Sequence, residues 1–248
     1  MPTSLTCSVD RRSSYTLVSP VGDLDLAGST LVHTTLLKVL ADQPDAILVD
    51  LSGVASAELA TLSVFLVVSR EAARWPAIPV LLCAPSPSVA VHITRTPGLA
   101  WTIFPSVLLA ARNVGANAPS PAFVAEMLPV TGSAREARNL VTEACLRWNQ
   151  PALVPDAAIV VSELVTNAVV HAMTIFTSRV SLRPRYVHVA VRDGSLLPPV
   201  MPSRDGRREG GRGLMLITAV AASWGHLQTH DGKVVWATLR RVDDASPT

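Results

Sequence analysis

A long apolar segment opens at Pro155-Asp156 and runs into Ser162-Glu163-Leu164-Val165-Thr166-Asn167-Ala168-Val169-Val170-His171-Ala172. Its apolar side chains at 157, 160, 161, 164, 165 and 168 have the spacing of a helix buried along one side. Pro155 suits a first helical turn, where its missing N–H would have no partner anyway. On that helix Glu163, Asn167 and His171 recur at i, i+4 and i+8 and share one stripe. No Lys or Arg stands three or four residues from Glu163. A carboxylate on a mostly apolar helix is costly to bury alone. Water, a metal, a ligand or a distant side chain must therefore face it. The stripe is either an ordinary polar edge or the wall of a ligand site, and spacing alone leaves both open.

The blocks around that segment divide the chain. Residues 1–13 are polar and are expected to be loose. Over 14–113, short apolar runs alternate with helical patterns. Strands are expected at 15–21, 46–51, 79–83 and 100–104, and helices at 28–41, 58–75, 89–94 and 106–113. The run 46–51 is short, rich in β-branched residues and bounded by turn signals, as a buried strand should be. Pro76 helps to end the second helix. Strands alternating with helices imply an α/β domain. Residues 114–121 contain Gly115, Asn117, Pro119, Ser120 and Pro121 and read as a linker.

A second domain is expected over 122–242, with a short tail at 243–248. It opens with a strand at 123–130 and a helix at 133–148. Ser133 is the expected N-cap of that helix, with Glu136 completing a capping box. After the apolar helix come strands at 176–182 and 186–192. A loop rich in Gly, Pro and Arg fills 200–211, a helix 213–224, and a closing hairpin follows around Asp231-Gly232. This order describes a two-layer α+β sandwich.

Charge and cysteine content narrow the setting. The chain of 248 residues has 21 basic and 19 acidic residues, a balance that points to neither nucleic acid nor a membrane surface. Apolar runs such as 59–68 are shorter than the roughly 20 residues that a bilayer requires. No apolar core follows the charges near the N-terminus, so no signal peptide is expected. Cys7, Cys83 and Cys145 are scattered and odd in number, which reads as reduced thiols in a cytoplasmic protein.

The residues from Glu163 to Ala172 resemble the N-box of the GHKL (histidine-kinase-like) ATPases, in the serine-kinase branch that acts as anti-sigma factors. The resemblance implies that Asn167 binds the magnesium ion bridging the ATP phosphates and that Glu163 is the general base. Val191-Arg192-Asp193-Gly194 resembles the family's adenine-reading turn. There Asp193 would accept a hydrogen bond from the adenine amino group, as an acceptor-only carboxylate can, with Gly194 beside it. Gly210-Gly211-Arg212-Gly213-Leu214 resembles the second glycine box, which implies nucleotide contacts from Gly211, Arg212, Gly213 and Leu214. Glycines let backbone N–H groups approach phosphate oxygens, and a helix start favours negative charge. Residues 196–209 would form a lid, with Arg204, Arg207 and Arg208 on it. Leu196-Leu197-Pro198-Pro199 departs from the family, which has a second close glycine there. Trp224 and Trp236 read as core, and His171 receives no proton-transfer role.

The first domain resembles the STAS domain of anti-sigma factor antagonists. Gly22-Asp23-Leu24-Asp25-Leu26 is similar to the family's opening, and Val49-Asp50-Leu51-Ser52-Gly53-Val54 to its central strand and turn. The family's phosphoacceptor serine falls on Ala60 within Glu58-Leu59-Ala60-Thr61-Leu62. Thr61 and Ser63 lie nearby, but one residue along a helix turns a hydroxyl by about 100°.

Together these resemblances imply a cytoplasmic ATP- and Mg²⁺-dependent protein serine/threonine kinase of the anti-sigma type, fused to a STAS domain that cannot be phosphorylated in the family's manner. The implied partners are a sigma factor and a separate STAS antagonist, and a homodimer is carried over from the family. The alternative is a non-catalytic switch in which ATP occupancy changes the surface offered to a partner.

Overall fold

The computed structural model describes residues 4–94, 101–115, 120–199 and 212–242. It divides into two compact units, Met1–Pro119 and Ser120–Thr248. The turn at Pro97-Gly98, the lid arginines, Gly210-Gly211 and the tail at 243–248 lie outside the described residues, as does the middle of the linker.

The first unit runs β1 (Thr6–Arg11), β2 (Thr16–Leu24), α1 (Leu26–Ala41), β3 (Ile47–Asp50), β4 (Val54–Ala57), α2 (Leu59–Arg74), β5 (Val80–Cys83), α3 (Pro87–Thr94), β6 (Ile103–Phe104) and α4 (Val107–Gly115). Its strands lie in the order β1-β2-β3-β5-β6, with β4 also paired to β2. All pairs except β1·β2 are parallel. A parallel sheet is buried on both faces and reads as continuous apolar runs. Ile47, Leu48 and Val49 of β3 accordingly have no exposure.

The expectation of a loose N-terminus is wrong from Thr6 onward. Thr6–Arg11 pairs antiparallel with Thr16–Val21 along the sheet edge. An edge strand needs no apolar face when its backbone has a partner. The first helix starts earlier than expected, because the Asp25 carboxylate caps it by accepting from the Gly28 N–H at 2.7 Å.

The second unit runs β7 (Ala122–Met127), α5 (Ser133–Arg147), a 3₁₀ turn (Pro151–Leu153), α6 (Val154–Asn167), a π turn (Ala168–Ala172), β8 (Phe176–Leu182), β9 (Tyr186–Asp193), α7 (Arg212–Val220), β10 (Ser223–Thr229) and β11 (Gly232–Arg240). The sheet is antiparallel throughout, in the order β10-β11-β9-β8-β7. Alternate residues Val187, Val189 and Val191 of β9 join Val160, Val161, Leu164 and Val165 of α6 in one core. This is the expected helix layer on a sheet.

Two local expectations are corrected here. Gly132, not Ser133, is the N-cap of α5, and the Ser133 hydroxyl donates to the Leu128 carbonyl at 2.6 Å. Ser133 already lies inside the helix and makes no cap bond, so no capping box forms. The helix expected to reach 224 stops at Val220, and Trp224 belongs to β10. The stretch Pro151–Ala172 is also, by length and composition, long and apolar enough to cross a membrane, which the shorter runs did not reveal. In this fold it carries the core helix α6.

Candidate functional site

The site is built where α6, the end of β9 and the start of β11 meet. A partly open cavity of about 130 Å³ lies there. Asn167, His171, Asp193 and Lys233 supply polar wall, and Leu164 and Val191 apolar wall. Asn167 is the last residue of α6. The chain then widens into the π turn, with Met173 N–H donating to the Ala168 carbonyl at 3.0 Å, five residues back. The wider turn sets the placing of His171, which lines the cavity together with Asn167, whereas Glu163 does not.

Asp193 is 5% exposed and closes β9. Its Oδ1 accepts from the Ser195 N–H at 2.8 Å and from Lys233 Nζ at 2.9 Å. Lys233 faces it across the antiparallel β9·β11 pair. A carboxylate removed from water needs such compensation. Gly232 makes the approach possible: its φ is +150°, and a Cβ there would overlap the Asp193 carbonyl. Gly194 donates its N–H to Thr174 Oγ1 at 2.9 Å.

Glu163 stands one helical turn before Asn167 and is not part of the cavity wall. Among the described residues no cation pairs with it and no donor reaches its carboxylate. It lies instead against the start of α7, where a Cβ on Gly213 would overlap Oε2. A helix start carries partial positive charge, so this is a favourable place for an unpaired carboxylate. Leu214 is 1% exposed and packs in the core. Its side chain cannot line a ligand site, which limits any contact to its backbone. Gly211 lies outside the described residues, and Arg212 is placed only as the first residue of α7.

Lys233 is the site residue that sequence reasoning missed. Its signal was a single cation opening an otherwise apolar strand, Val234-Val235-Trp236. Its partner lies 40 residues away, beyond any local pattern.

The donor set suits magnesium. Asn167 offers a neutral amide oxygen, a hard donor. Among the described residues no group of three or more His, Cys, Asp or Glu could hold a metal ion.

In the first unit Ala60 is exposed in the first turn of α2. Thr61 is 8% exposed and donates its hydroxyl to the Glu58 carbonyl at 2.8 Å. The Ser63 hydroxyl donates to the Ala60 carbonyl at 2.5 Å.

Residues 121–239 match the family model described as the histidine kinase-like ATPase domain. Residues 7–108 match that of the STAS domain. No curated protein matches the chain. Among solved structures, the chain is similar to the anti-sigma factor antagonist SpoIIAA in its unphosphorylated form. The identity is 14% and the TM-score 0.40, covering 46% of this chain and 99% of that one. It is also similar to an anti-sigma factor antagonist from Mycobacterium paratuberculosis. There the identity is 22% and the TM-score 0.40, covering 45% of this chain and 95% of that one.

Proposed function

We propose that this chain, a STAS domain followed by a histidine kinase-like ATPase domain, is a cytoplasmic protein serine/threonine kinase of the anti-sigma type. It regulates transcription by partner switching and depends on ATP and Mg²⁺. The carrying observation is one cavity with Asn167 and buried Asp193 in its wall, and Glu163 one turn away at the start of α7. ATP binding follows from the histidine kinase-like ATPase domain, and the two domains together fit partner switching.

In this reading Asp193 accepts from the adenine amino group beside Gly194. Gly211, Arg212, Gly213 and the Leu214 backbone meet the phosphates at the start of α7. Asn167 holds magnesium, which neutralises phosphate charge when bound. The serine hydroxyl of a separate STAS antagonist attacks the γ-phosphorus. Its proton passes to Glu163, a phosphorus–oxygen bond forms to the serine, and the bond to the β-phosphate oxygen breaks with its electron pair leaving on ADP. Such catalysis is mostly positioning and charge neutralisation. The partners are a sigma factor and that antagonist, and the kinase works as a homodimer. The cytoplasmic placing rests on the sequence, where three cysteines are scattered and odd in number. Cys83 is pushed up to about 12 by burial and then by the Asp50 charge, and Cys145 to about 11 by burial.

The chain's own STAS domain is a docking module in cis and not a substrate. Ala60 supports this, as do the hydrogen bonds by which the Thr61 and Ser63 hydroxyls donate to backbone carbonyls three residues earlier.

A second reading, an ATP-binding switch without transfer, is favoured by the position of Glu163 outside the cavity wall. Incubation with γ-labelled Mg-ATP and serine-bearing STAS antagonists separates the two. Label on the antagonist supports the kinase, and ATP binding without label supports the switch.

A further inference from the structure

We propose that Lys233 reads the nucleotide base: its ammonium donates to adenine N1 while Asp193 accepts from the neighbouring amino group. The inference rests on the nucleotide reading above and deepens it. The Lys233 and Asp193 side chains are 7% and 3% exposed, and both line the cavity. Lys233 spends one hydrogen bond on Asp193 Oδ1, at 2.9 Å. An ammonium has three donors, and among the described residues Asp193 is its one partner. Two donors remain for a ligand in the cavity that both side chains line.

Asp193 shows the complementary state. Oδ1 already takes bonds from Lys233 and the Ser195 N–H, which leaves Oδ2 as the acceptor to offer. Because Lys233 and Asp193 are direct cross-strand partners, their side chains leave the sheet on one face. The cavity is thus presented with a donor and an acceptor side by side. Adenine offers the matching edge, acceptor N1 beside the donor amino group. A 6-oxopurine reverses that order, placing a carbonyl against Asp193 and an N–H against Lys233. The pair therefore selects adenine as well as binding it.

The test compares Mg-ADP with Mg-1-deaza-ADP, in which C–H replaces N1, by calorimetry on the full chain. Wild type is expected to bind Mg-ADP at least about tenfold more tightly, the worth of one hydrogen bond to a charged group. Lys233→Met is expected to bind the two equally. Equal affinities in wild type overturn the role of Lys233 and leave nucleotide binding standing. Undiminished discrimination in Lys233→Met also overturns it. Binding of neither nucleotide removes the nucleotide reading and this inference with it. If Lys233→Met fails to fold, the wild-type ratio decides alone.

Discussion

In the proposed mechanism single side chains carry the chemistry, and two of them are directly testable. Asn167 closes α6 and lines the cavity. Asn167→Ala removes its oxygen donor without touching the core, so Mg-ATP affinity should fall by about tenfold or more while the melting temperature holds. Equal binding by calorimetry would refute its role. Gly213 is needed for space, because a Cβ there overlaps the Glu163 carboxylate. Gly213→Ala must displace Glu163 or α7. A misplacement of about 1 Å can cost on the order of 10² in rate, so labelled transfer should fall by that order. An unchanged rate would mean that Glu163 is not held where the mechanism needs it. Asn167 and Glu163 were visible in the sequence because helical spacing set them on one stripe and the N-box resemblance gave that stripe a role. Lys233 was not, since its meaning comes from a register 40 residues long.

Elements were legible in proportion to how one-sided their burial is. Phe176–Leu182 and β9 alternate against a helix layer, and the pattern gave them nearly to the residue. β1 is polar and half exposed, and only backbone pairing defines it. β4 is four residues long and largely exposed, which leaves no periodicity to read. The start of β10 merged with α7 because Trp224 packs against the same core. β9 also carries a pH dependence. His188, on the face opposite its valines, is 1% exposed, and among the described residues neither ring nitrogen has a partner. Burial, and secondly the Arg183 charge, lower its pKa from 6.5 to about 3. The unfolded chain therefore binds the proton first. The stability His188 contributes is complete above pH 6.5 and declines as pH falls toward 3. Urea unfolding should show wild type losing about 2 kcal/mol more than His188→Leu between pH 7 and 5. Parallel losses in the two proteins would contradict this.

For the whole molecule, the proposed reading divides the work between the two units: the second binds nucleotide, and the first presents a STAS fold with Ala60 at the acceptor position. A short flexible linker gives an effective concentration of roughly millimolar, so the docking proposal expects the first unit to compete with partners supplied in trans. Deleting residues 1–113 should raise affinity for a trans STAS antagonist. Mass spectrometry after incubation with Mg-ATP should find no phosphate on Thr61 or Ser63, and stoichiometric phosphate on either would make the first unit a substrate. The central claim is phosphoryl transfer with Glu163 as base, and one comparison tests it most directly. Wild type and Glu163→Gln are given γ-labelled Mg-ATP and a STAS antagonist that wild type phosphorylates. The account predicts matching ATP affinity and a transfer rate about 10²–10⁴-fold lower in Glu163→Gln; equal rates in the two proteins would contradict it.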